Sequence, residues 1–160
     1  MKRIYLTKKA LSLFTILLFL INTTFAQIAQ RGTSTVANTT GASLVIPKPA
    51  GIATGDVMLV NIAQQGTGAL SNPTSAGWTL IAGANLNGGT NRWGTVLYKI
   101  ATATDALAAT TNYTFALVAQ ANGSVGSIVA FSGVDVSGAT PFDVAPGSIS
   151  VQGNQTTVSA

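Results

Sequence analysis

The chain has 160 residues, with 8 Lys/Arg against 4 acidic residues and no His or Cys. All four acids are Asp, so His-based triads, Cys nucleophiles, thiolate or imidazole metal sites and disulfide staples are excluded. Lys2, Arg3, Lys8 and Lys9 carry the +4 excess, while beyond Ala26 four cations (Arg31, Lys48, Arg92, Lys99) face four anions (Asp56, Asp105, Asp135, Asp143), too few positive charges to bind nucleic acid.

The first segment reads as an export address. Met1 to Lys9 is cationic, and Ala10 to Ile21 is apolar apart from Ser12 and Thr15. Asn22-Thr23-Thr24-Phe25-Ala26 then places small side chains at 24 and 26, predicting a signal peptide over 1–26, a helix cut before Gln27. The apolar run is well short of the ~20 residues a spanning helix needs. The expectation is therefore a secreted or cell-surface chain with no direct membrane insertion after cleavage. A domain of this size buries about two-thirds of its unfolded surface and needs no disulfide to fold.

The mature sequence then reads as strands separated by turns. Ser43 to Ile46 is a short strand stopped by Pro47-Lys48-Pro49-Ala50-Gly51. Asp56 follows Gly55 as a turn cap, and Val57 to Ala63 is a nearly continuous apolar strand covered on both faces. Residues 71–77 form a loop. Trp78, Leu80, Ala82, Ala84 and Leu86 alternate toward a core, with Trp78 as its anchor and Ile81 breaking the pattern. Asn87-Gly88-Gly89-Thr90-Asn91 is a hairpin turn.

The returning strand runs from Arg92 to Ala101, and its apolar face is read as Val96, Tyr98 and Ile100. Arg92 and Lys99 are read as solvent-facing edge charges. Thr102 to Thr111 holds the one plausible helix, a single turn within a crossover. Asn112 to Ala119 and Ser124 to Ser132 complete the pattern, with Tyr113, Phe115 and Phe131 in the core, and Ile149 to Val151 starts one more strand.

This spacing predicts an all-β domain over 27–160, an antiparallel β-sandwich of jelly-roll type or, alternatively, an immunoglobulin-like sandwich. Gln152 to Ala160 reads as the beginning of a further strand. The domain is therefore expected to be incomplete at its C-terminus, finished by the rest of a longer chain or by a partner that covers the open edge.

Several phrases point to a family. They are Ile46-Pro47-Lys48-Pro49-Ala50-Gly51, Gly55-Asp56-Val57-Met58-Leu59-Val60, Gly77-Trp78-Thr79-Leu80-Ile81, Tyr98-Lys99-Ile100-Ala101, and Val129-Ala130-Phe131-Ser132-Gly133-Val134-Asp135 with Pro141-Phe142-Asp143. In order and spacing, Ser43 to about Asp143 resembles a recurring secreted bacterial β-sandwich domain also found in phage-like surface proteins. The resemblance implies an adhesin-like or surface-display module and supplies no catalytic residues.

Candidate sites follow from what remains. Sugars are held by an exposed aromatic ring plus amide and charged hydrogen-bonding groups. Trp93, beside Asn87, Asn91 and Arg92, is the residue set with that chemistry, on the face opposite Val96, Tyr98 and Ile100. Asp135 and Asp143 are the first candidates for a structural calcium, since hard cations take carboxylates and loop carbonyls. Paired-carboxylate hydrolysis is the least favoured reading, because the Asp residues fall at turns. The functional expectation is a non-enzymatic, adhesin-like binding or display module without a required cofactor, its partner a surface glycan or protein. The alternative is a carbohydrate-binding module of a larger extracellular protein.

Overall fold

The computed structural model describes residues 27–66, 70–81, 86–87, 92–120, 122–138 and 140–144, with 86–87 as backbone. The export signal expected over 1–26, residues 88–91 of the expected hairpin turn, the Asn87 and Asn91 side chains and the strand expected at 149–151 lie outside the described residues.

The described chain forms nine strands and one helical turn: β1 (Ala29–Gln30), β2 (Thr35–Thr39), β3 (Ser43–Pro47), β4 (Val57–Gln65), β5 (Thr79–Leu80), β6 (Leu86–Asn87), β7 (Arg92–Ile100), α1 (Ala103–Ala106), β8 (Asn112–Ala116) and β9 (Ser124–Ser132). Every strand pairing is antiparallel. In the larger sheet β4 lies between β9 and β7. β1 and β2 pair with successive parts of β9, while β5 and β6 pair with different parts of β7. β3 and β8 form a second sheet, and Thr74 bridges to Ala116 on its β8 side. The fold is an antiparallel β-sandwich, as the strand spacing predicts.

Period-2 alternation builds the interior. Leu44, Ile46, Tyr113 and Phe115 come from the smaller sheet; Met58, Val60, Ile62, Leu97, Ile128 and Ala130 come from the larger one. Trp78 anchors this core as expected, meeting Tyr113 and Phe115 edge-on at 5.3 and 5.2 Å between ring centroids. Gly126 of β9 lies close against Leu44 and Ile46 of the smaller sheet. A Cβ there would stand 2.7 Å from Ile46 Cδ1 and 2.9 Å from Leu44 Cδ2, so this inward position of β9 has no room for a side chain.

Two ion pairs pin the connections. Arg31 donates to both carboxylate oxygens of Asp56 at 2.9 and 3.1 Å, and Asp56 also accepts from the Ala53 N–H at 2.8 Å. The expected turn role of Asp56 thus also fastens the N-terminal strap to the start of β4. At the far end of β7, Lys99 Nζ donates to Asp105 Oδ1 at 2.7 Å, and Tyr113 Oη donates to the same oxygen at 3.1 Å. Thr102 supplies its N–H and Oγ1 to Asp105 Oδ2 at 2.8 and 2.7 Å, closing the N-terminus of α1. Burial raises the Asp105 pKa, but Lys99 and Thr102 outweigh it and hold the carboxyl at about 2.

The structure reverses several residue-level expectations. Lys99 is a half-buried ion-pair partner, and β7 is an interior strand flanked by β4 and by β5 and β6. The core face of β7 carries Thr95 and Leu97, 0% and 2% exposed, whereas Val96, Tyr98 and Ile100 face outward and are half-buried. Their partial cover includes Phe142, whose ring meets Tyr98 edge-on at 5.2 Å. Ile81 is buried and Leu80 exposed, opposite to the alternation read from Trp78. Phe131 is only half-buried, because β9 directs Ile128 and Ala130 inward.

Candidate functional site: a groove on the outer face of the larger sheet

A groove of about 540 Å³ crosses one end of the larger sheet. Its lining is 38–40, 63–65, 92–94 and 122–125, consecutive residues from the ends of the four neighbouring strands β2, β4, β7 and β9. The register explains how these distant segments meet. Thr39 is the Cα partner of Ser124, Ser124 of Gln64, and Gln64 of Trp93. This row points inward, with Gln64 and Ser124 buried and Thr39 and Trp93 half-buried.

The flanking positions point outward. Asn38, Val125, Ala63 and Gly94 form one outward row by the same register, and Gln65 and Arg92 are partners in the next. Gln65 N–H also donates to Gly123 O at 3.1 Å, closing the end of the sheet. The small residues Ala63, Gly94 and Gly123 leave the middle hollow. Asn38, Gln65, Arg92 and Asn122 stand exposed around it, with Val125 offering 46% exposed apolar surface.

Beneath the groove lies a polar inner layer. Trp93 Nε1 donates to Asn72 Oδ1 at 2.9 Å, and Thr95 Oγ1 donates to the same oxygen at 3.3 Å. Gln64 Nε2 donates to Ser71 O at 2.9 Å. Gln64 Oε1 and Ser124 Oγ are buried with no hydrogen-bond partner among the described residues. Gln120 fills the neighbouring space so closely that a Cβ on Gly66 would fall 1.4 Å from its Oε1.

Of the residues singled out from the sequence, Arg92 and Trp93 line the groove. Arg92 is exposed on the outer face. Trp93 does lie opposite Val96, Tyr98 and Ile100, but its side chain shares the inward face with Thr95, and its N–H is committed to Asn72. The expectation of an outward indole platform is corrected accordingly. Asn87 pairs with Trp93 through the backbone. Asn38, Gln65 and Asn122 were not singled out, since only the cross-strand register brings them beside Arg92.

Electrostatics distinguishes Arg92. All four Asp residues of the chain are described. Asp56 pairs with Arg31 and Asp105 with Lys99. Lys48 Nζ donates to the carbonyls of Asp105 and Leu107, both at 2.8 Å. Arg92 has no carboxylate partner among the described residues.

The calcium candidates lie in the segment that follows β9. Asp135 Oδ1 accepts from the Ser137 N–H at 2.9 Å, and this bond lowers the Asp135 pKa. Asp143 is exposed. Among the described residues no group of three or more His, Cys, Asp or Glu side chains converges. Comparison with protein-family models, curated proteins and solved structures gives no match to this chain.

Proposed function

We propose that this chain is an exported, non-enzymatic module that binds or displays at a cell surface through the outer-face groove. The observation that carries the proposal is the combination of Asn38, Gln65, Arg92 and Asn122 around a hollow about 540 Å³ in volume. That volume lies within the range of small-ligand sites. Amides donate and accept while guanidinium donates in a fixed fork, so the rim offers hydrogen bonds above a mainly apolar lining. The export signal over 1–26 and the resemblance of Ser43 to about Asp143 to secreted surface domains support the same reading. It assigns no catalytic residue, cofactor or nucleic-acid partner.

The test is retention of the labelled, exported chain on intact cells and on isolated cell-envelope material. Saturable retention that falls at least about tenfold in the triple variant Asn38→Ala, Gln65→Ala, Arg92→Ala supports the groove, since each lost hydrogen bond contributes about 1 kcal/mol. Saturable retention unchanged in that variant would place binding elsewhere, and no saturable retention would overturn the module.

A further inference from the structure

Among the described residues the Arg92 guanidinium has no carboxylate partner, and its place in the groove narrows the ligand class. We infer that the groove takes a carboxylated saccharide, of the uronic or sialic acid kind, with Arg92 gripping the carboxylate; this rests on the binding-module reading above.

Four observations converge. Arg92 stands exposed on the outer face, while each of the other three cations beyond the export signal is committed within the protein. A guanidinium fork matches a carboxylate through two parallel N–H···O bonds, and such charge-assisted bonds are among the strongest a surface site makes. Gln65 is the Cα partner of Arg92 on the same face, and Asn38 and Asn122 lie on the groove wall, so donors and acceptors surround the charge. These fit a ring bearing several hydroxyls. The low Ala63–Gly94 floor and exposed Val125 leave room for its C–H face.

The alternatives fit less well. The groove crosses β2, β9, β4 and β7, whose intervening ladders are already formed, so an extended peptide cannot add as a strand there. One exposed cation cannot supply the several phosphate contacts a nucleic acid requires. The inward indole of Trp93 removes the stacking platform on which binding of neutral sugars commonly relies. Affinity for a single chain end is then weak, and display in several copies would strengthen retention.

The experiment is titration of the exported chain with trigalacturonate and its methyl ester, and with sialyllactose and lactose. An acidic peptide of equal charge serves as control, and Arg92→Gln is measured in parallel. Arg92 is exposed, and a thermal melt establishes that the variant remains folded. The expected result is at least one acidic glycan binding about tenfold or more tighter than its neutral counterpart, with that preference abolished in Arg92→Gln. Equal affinity for acidic and neutral glycans, an acidic preference unaffected by Arg92→Gln, or tighter binding of the acidic peptide would overturn the inference. So would failure of every glycan to bind. Saturable retention on cells in any of those cases leaves the broader module reading standing, which separates the two failures.

Discussion

Trp93 and Asn72 are joined through the indole N–H and Oδ1 at 2.9 Å, a bond made on the inward face of β7. Asn72 comes from the loop before β5 and accepts from Thr95 through the same oxygen at 3.3 Å. One amide thus serves two donors on the inward face, and the opposite face of the sheet is left to form the groove. Asn72→Ala deprives a fully buried hydroxyl and a half-buried indole of their acceptor. The expected loss is about 1–3 kcal/mol of unfolding free energy, measured by urea denaturation. Unchanged stability would show that these donors find other partners.

Ser124 makes the opposite case. Its hydroxyl is buried without a partner among the described residues, facing the similarly unpartnered Gln64 Oε1 across the β4–β9 ladder. Removing an unpaired buried hydroxyl removes a desolvation cost along with a small volume. Ser124→Ala is therefore expected to leave stability unchanged or raise it by up to about 1 kcal/mol. A drop larger than ~1 kcal/mol would reveal a hydrogen bond that the hydroxyl makes in solution.

Asp105 governs the acid limb of stability. Its carboxyl is held at about 2 by Lys99 and Thr102 despite the opposing effect of burial, against an ordinary value of 3.8. Because the folded value is depressed, the contribution is present above about pH 4 and is lost as pH falls toward 2. The shift corresponds to about 2 kcal/mol. Urea denaturation between pH 2 and 6 should show a shallower acid decline for Asp105→Asn than for the wild type. Parallel curves would contradict the assignment. Burial and the neighbouring Asp105 charge raise the Tyr113 pKa, so that phenol remains neutral throughout this range.

The sandwich was legible wherever side-chain alternation and burial coincide. Leu44 and Ile46 in β3 and Tyr113 and Phe115 in β8 announce their buried face, whereas β4, read as covered on both faces, exposes Asn61 and Ala63 on its outward side. The helical turn was also legible, and it is capped by Thr102. β2 escaped notice because Thr35-Val36-Ala37-Asn38-Thr39 has small and polar residues on its inward side and an exposed Val36 on the other. β7 was read inside out for a related reason. Its inward face contains Thr95 and Lys99, satisfied by Asn72 and Asp105, while its apolar Val96, Tyr98 and Ile100 face outward beneath partial cover. Arg92 could be singled out by composition, but the groove around it could not. Its walls come from segments more than eighty positions apart, and register alone aligns them.

The most direct measurement of the central claim, that the outer-face groove binds an acidic saccharide, is amide chemical-shift mapping of the chain during separate additions of trigalacturonate and sialyllactose. The account predicts saturable shifts concentrated at 38–40, 63–65, 92–94 and 122–125, with those shifts lost in Arg92→Gln. Shifts concentrated on the β3–β8 sheet or along 133–144, or no saturable shift with either glycan up to ~10 mM, would contradict it.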